Sequence, residues 1–98
     1  DYYPLTGLGD LTGDDVWLAY QLNRPSDKSG IVVGFRRKDN KQQSISVQLR
    51  GLDPDATYIV RNENDGTQQR LSGKQLAEGL TLVLDKAPDS ILLKYRAE

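Results

Sequence analysis

A chain of 98 residues, 28% charged and 37% apolar, is long enough for one hydrophobic core and too apolar to remain unfolded. Its 13 basic and 14 acidic residues leave a formal charge of −1, too little field to recruit DNA or RNA, so nucleic acid is not an expected partner. The chain has no Cys and no His, which excludes disulfides, thiolate metal sites and Ser-His or Cys-His catalysis.

The opening segment "DYYPL" reads as an arm leading in from elsewhere, and residues 1–14 are assigned to it. Within them, "GDLTGDD" offers Asp10, Asp14 and, just beyond, Asp15 as oxygen ligands for calcium. The spacing does not match an EF-hand loop, and Gly, Asp and Thr are what a plain loop contains, so no metal site is assigned. No apolar run reaches the ~18 residues of a spanning helix, and a membrane is not an expected partner.

"VWLAYQLN" alternates with period two, the strand signature. Val16, Leu18, Tyr20 and Leu22 share the face expected to enter the core, leaving Trp17, Ala19, Gln21 and Asn23 on the other. "PSDKSG" supplies turn residues before "IVVGFRR", where Ile31, Val33 and Phe35 share a face. Arg36, Arg37 and Lys38 then form a basic run, read as a solvated edge that discourages strand-to-strand association or as a contact for an anion or partner. After the polar "KDNKQQ", "SISVQLR" sends Ile45, Val47 and Leu49 inward and Ser44, Ser46 and Gln48 outward.

"GLDPDATYIV" is a turn followed by a strand that opens on Tyr58. Leu52, Pro54 and Tyr58 are expected to fix a structural corner, with the ring buried and its hydroxyl bonded to nearby backbone. Asp53 and Asp55 are expected to bond their own backbone rather than act as paired acid and base. "TYIVRNEN" runs into Asn64-Asp65-Gly66, a type I′ hairpin signal, and "QQRLS" returns. "SGKQLAEG" is the single helical suggestion, at most one short helical stretch near residues 73–78, with Ser72 as N-cap and Gly79 as terminator. "LTLVLD" aligns Leu80, Leu82 and Leu84, and "SILLKYR" aligns Ile91, Leu93 and Tyr95.

Seven or eight short strands at a spacing of about ten residues predict an all-β fold, a small antiparallel β-sandwich forming one domain over residues 1–98. An immunoglobulin-like topology is excluded, because there the corner tyrosine opens the penultimate strand, whereas three strand candidates follow Tyr58. Trp17 has three open fates: cover by the Tyr2-Tyr3-Leu5 arm, cover by a neighbouring domain, or exposure as a platform for a sugar ring.

Five phrases, in order, carry a resemblance: "DYYPLTGLGDLTGDDVWLAYQLNRP", "GIVVGFRR", "LRGLDPDATYIV", "LSGKQLAEGL" and "ILLKY". From Asp1 through Tyr95 the chain resembles the C-terminal domain of bacterial α-galactosidases of glycoside hydrolase family 36. The resemblance implies a retaining enzyme whose (β/α)8 barrel lies upstream and carries the catalytic aspartates. No position here matches those motifs, so no catalytic residue and no cofactor is assigned. It implies a non-catalytic accessory domain that packs on the barrel of the same polypeptide, with Trp17, Tyr2 and Tyr3 as interdomain contacts. The alternatives are a carbohydrate-binding module, in which those three residues meet a galactoside weakly, and a free-standing adhesion or scaffold sandwich.

Overall fold

Alternation of apolar and polar residues between turn clusters yields strands wherever it was expected. The computed structural model describes residues 1–5, 17–36, 43–84 and 89–98. Among these, the elements in chain order are β1 (Tyr2–Pro4), β2 (Trp17–Arg24), β3 (Ser29–Arg36), β4 (Ser44–Val47), β5 (Thr57–Asn62), β6 (Gln68–Ser72), α1 (Gly73–Glu78), β7 (Leu80–Val83) and β8 (Asp89–Ala97). The strands form a six-stranded sheet in the order β1-β2-β3-β8-β5-β6 and a two-stranded sheet of β4 and β7, with every pairing antiparallel. The all-β sandwich class is therefore correct. Tyr2–Pro4, expected as part of an arm, is the edge strand of the larger sheet.

Local chemistry explains the connections. α1 begins on a capping box: Ser72 Oγ accepts the Gln75 N–H at 3.0 Å, and Gln75 Oε1 accepts the Ser72 N–H at 2.8 Å. The helix stops at Gly79, whose N–H reaches the Gln75 carbonyl at 3.0 Å. The β5–β6 connection departs from the expected type I′ turn. Gly66 (φ 78) is the one residue of that loop with positive φ, its N–H donates to the Asn62 carbonyl at 2.7 Å, and Asp65 Oδ1 accepts the Thr67 N–H at 2.9 Å. The Asp65 side chain thus organises a longer loop around one left-handed glycine, where type I′ needs two such residues.

The core joins the two sheets. Val47, Leu49, Leu80, Leu82 and Leu84 come from the small sheet and its extensions, and Tyr58, Val60, Ile91, Leu93, Tyr95 and Val32 from the large one, with Leu76 of α1 fully buried among them. The inward sets of "SISVQLR", "LTLVLD" and "SILLKYR" lie as expected: Val47, Leu49, Leu80, Leu82, Leu84, Ile91, Leu93 and Tyr95 are buried and Ile45 is half-buried.

β2 and β3 are inverted relative to expectation. Ala19, Gln21 and Asn23 of β2 are buried, as are Val32, Gly34 and Arg36 of β3, whereas Leu22 and Phe35 are exposed. The polar face can turn inward because its groups are satisfied. Gln21, 0% exposed, donates from Nε2 to the Arg50 carbonyl (2.8 Å) and to Tyr95 Oη (2.7 Å), and its Oε1 accepts the Arg50 N–H (2.8 Å). Tyr95 Oη donates to Asn23 Oδ1 at 2.6 Å, and Asn23 Nδ2 reaches the Gly51 carbonyl at 3.3 Å. This network ties the crossing segment at residues 50–51 to the large sheet. Burial pushes the Tyr95 phenol up to about 12.

Arg36 corrects a second expectation. It is buried, not a solvated edge, and its Nη1 donates to the Leu84 carbonyl at 2.7 Å, which links the end of β3 to the small sheet. Arg37, Lys38, Asp10, Asp14, Asp15 and Val16 lie outside the described residues.

Candidate interdomain face

The inversion leaves apolar side chains on the outer face of the large sheet. The strand registers arrange that face in four rows running from β1 towards β6. One row holds Leu18, Phe35 and Ser90, and the next Pro4, Tyr20, Val33 and Leu92. A third runs Tyr2, Leu22, Ile31, Lys94, Arg61 and Gln68, and a fourth Arg24, Ser29, Arg96, Ile59 and Arg70. Each row shares one side of the pleat, because directly opposed residues of antiparallel strands project the same way.

The face has two characters. Its β1–β2–β3 half, extended by Leu92, is apolar and aromatic. Tyr2 is 61%, Leu22 40% and Phe35 41% exposed, and the rings of Tyr2 and Tyr20 lie 5.6 Å apart at a tilt of 34°. Single exposed hydrophobics are ordinary, but a contiguous set on one sheet face marks a contact surface. The β8–β5–β6 half carries Arg61, Arg70, Lys94 and Arg96, and Arg24 at the end of β2 continues the fourth row across the sheet. Glu63 meets Arg61 at 3.4 Å and Lys94 at 3.8 Å, and Glu98 meets Arg70 at 2.6 Å. Among the described residues, Arg24 and Arg96 have no ion-pair partner. A groove of about 600 Å³ crosses the boundary between the halves, bordered by Leu22, Ile31, Ile59, Lys94 and Arg96.

The residues singled out in the sequence fall in separate places. Tyr2 stands on the outer face, whereas Tyr3, one residue on, points to the other side of β1 and sits against Gly51. The two tyrosines therefore do not share a platform. Trp17 opens β2 opposite Arg36, and its ring lies outside the described residues. Leu52 is half-buried and Pro54 exposed in the turn, while Tyr58 is 1% exposed and its Oη accepts the Asp53 N–H at 3.0 Å. Asp53 Oδ1 accepts the Asp55 N–H at 2.9 Å, and that bond holds the Asp53 carboxyl below its usual 3.8, with Lys28 Nζ 3.5 Å away assisting. A carboxylate engaged in its own turn and kept ionised is not poised as a general acid. Among the described residues, no cluster of three acidic side chains could hold a metal ion.

Sequence reasoning missed Leu22, Phe35, Arg24 and Arg96 as site residues. The local pattern carried no signal for them, because Gln21 and Asn23 can be buried only where Arg50, Gly51 and Tyr95 meet them in the tertiary structure.

Neither a protein-family model nor a curated protein sequence matches the chain. Solved structures do. A raffinose complex of a variant of the α-galactosidase AgaA from Geobacillus stearothermophilus superposes with a TM-score of 0.73 at 20% identity. AgaB, an α-galactosidase from the same organism, also gives 0.73 at 20% identity. The galactosidase domain of the α-galactosidase-sucrose kinase AgaSK gives 0.70 at 25% identity. Each match covers 99% of this chain but 13% of the neighbour, so the chain spans about an eighth of the enzymes it matches. The resemblance carried by the five sequence phrases thus holds at the level of the fold: this chain is built like a small all-β part of glycoside hydrolase family 36 α-galactosidases.

Proposed function

We propose that this chain is the non-catalytic C-terminal accessory domain of an α-galactosidase-like glycoside hydrolase, packing on a (β/α)8 barrel of the same polypeptide and stabilising it. The observation that carries this reading is the coverage: nearly all of the chain corresponds to 13% of each family 36 neighbour. Tyr2, Leu22 and Phe35, exposed among the described residues on one face of the large sheet, support it, since a domain that docks needs such a surface.

Two measurements test it. The 98-residue chain is expected not to hydrolyse an aryl α-galactoside, and its removal is expected to lower the melting temperature of the barrel that remains. Turnover that disappears on mutating a residue of this chain would sink the proposal, as would a barrel whose melting is indifferent to the deletion. The sugar-binding alternative predicts shifts of the Tyr2 and Trp17 resonances when raffinose is titrated to millimolar concentration. The opposed directions of Tyr2 and Tyr3 argue against it.

A further inference from the structure

We infer that the outer face of the six-stranded sheet is the surface on which this chain docks, with its apolar rows seated on an apolar shelf of the barrel and the Arg24–Arg96 row paired with carboxylates at the rim of that shelf. The inference rests on the accessory-domain reading and adds to it the face, the residues and the chemistry of the partner.

Three observations lead there. The first is size. Six strands spaced about 4.8 Å apart, over about seven residues of 3.3 Å each, make a face of about 650 Å². Counted over both partners that is about 1,300 Å², within the range of interfaces between domains of one chain. The second is composition. Tyr2, Tyr20, Leu22 and Phe35 form an aromatic and aliphatic half of the face beside a cationic half, and docking surfaces likewise join an apolar patch to a polar border. The third is charge. The chain as a whole carries −1, yet five cations lie on this face, and Arg24 and Arg96 lack an ion-pair partner among the described residues.

Charge also selects the occupant. A second copy of this chain fits poorly, because a two-fold pair formed through this face has two arrangements. One sets cations against cations, and the other buries them against apolar rows without counter-charges. Carboxylates presented by a different surface satisfy Arg24 and Arg96 at once, and bidentate arginine pairs are the stronger kind.

Hydroxyl-radical footprinting tests the assignment on the polypeptide that joins this chain to its barrel, with the 98-residue chain as reference. Tyr2, Tyr20, Leu22 and Phe35 are expected to oxidise readily in the chain alone and several-fold more slowly in the joined polypeptide. Arg24→Glu with Arg96→Glu is expected to restore much of that oxidation without moving the melting temperature of the chain alone. For the unmutated polypeptide, ~1 M NaCl is expected to act in the same direction, because it shortens electrostatic reach to about 3 Å. Lys74→Glu, at an exposed position of α1, serves as the charge control and is expected to change nothing. Protection at Thr81 and Val83 on the small sheet, with Tyr2 and Phe35 still oxidised, overturns the assignment of the face while leaving the accessory-domain reading in place. No protection anywhere on the chain overturns both. Protection of the same residues in a dimer of the chain alone overturns the choice of partner.

Discussion

Replacing Gln21 by Leu tests the account of why β2 turns its polar face inward. The two side chains have similar volumes, so the substitution deletes three hydrogen bonds while opening little space. Two of them belong to the Arg50 backbone, whose N–H and carbonyl both pair with Gln21 at 2.8 Å. Each orphaned backbone group costs about 1–3 kcal/mol, and because the Arg50 residue is exposed, water relieves part of this. The third bond ends on Tyr95 Oη, which still donates to Asn23 Oδ1 at 2.6 Å, so its loss is the smallest of the three. The sum is about 3 kcal/mol, which for a domain near 100 residues lowers the melting temperature by about 12–24 °C. Calorimetry on Gln21→Leu measures this directly, with exposed Gln48→Leu expected within about 0.5 kcal/mol of the parent. Combining Gln21→Leu with Tyr95→Phe should cost less than the sum of the singles, since the two residues share a bond. A Gln21→Leu variant that melts within about 2 °C of the parent, or above it, would refute the claim that this network holds the inner face.

Alkaline stability should depend on Tyr95. Its phenol is raised from 10.0 to about 12, so the folded state favours the neutral form; that stabilisation is complete below pH 10 and is lost as pH rises through about 12. It amounts to about 3 kcal/mol, and urea titrations of Tyr95→Phe from pH 9 to 12 should show a flatter profile than the parent. Tyr58→Phe removes the acceptor of the partly buried Asp53 N–H and should cost about 1 kcal/mol, or about 4–8 °C; an unchanged melting point would show that the corner does not need the hydroxyl. Gly30→Ala would bring a Cβ to 2.3 Å from both the Leu22 carbonyl and Tyr95 Oη, one of them fixed backbone, and should destabilise by about 3 kcal/mol or more in the same assay.

Much of the fold was legible because, in several strands, pattern and burial have a single cause. In β4, β7 and β8 the inward set is apolar and faces this chain's own core, so alternation alone places Val47, Leu82, Leu93 and Tyr95. α1 was legible from its ends, since Ser72 and Gly79 supply the cap and stop, and the structure adds Gln75 as the second half of the capping box. The β5–β6 loop was legible in position but not in type, because a side-chain bond from Asp65 competed with the backbone geometry its neighbours favour.

The site was not legible for a related reason. Alternation says which residues leave water, not whose surface removes them. In β2 the stronger apolar set, Leu18, Tyr20 and Leu22, was assigned to this chain's own core. Burial instead went to Ala19, Gln21 and Asn23, whose polar groups find partners at residues 50, 51 and 95. Arg36 misled in the same way: a guanidinium at a strand end looks solvated until the Leu84 carbonyl is brought across the sandwich to meet it. Contacts that close only in the tertiary structure leave no local trace.

The inversion is nonetheless informative once both faces are known. A strand that merely bounded a solvated sheet would gain nothing from Leu22, Ile31, Val33 and Phe35 on its outer side, and such residues invite aggregation there. Their burial would contribute about 25 cal/mol per Å², so the apolar half of the face, about 325 Å², represents about 8 kcal/mol before the losses of association. Within one polypeptide those losses shrink, because a tethered partner is always at high effective concentration. On the proposed reading, the outer residues of β2 and β3 serve a second core shared with the barrel, and the apolar period in "VWLAYQLN" and "IVVGFRR" belongs to that core. Gln21 and Asn23 then carry a complementary duty: they let the inner face close with few apolar side chains, which leaves the apolar ones of the same strands free to face outward.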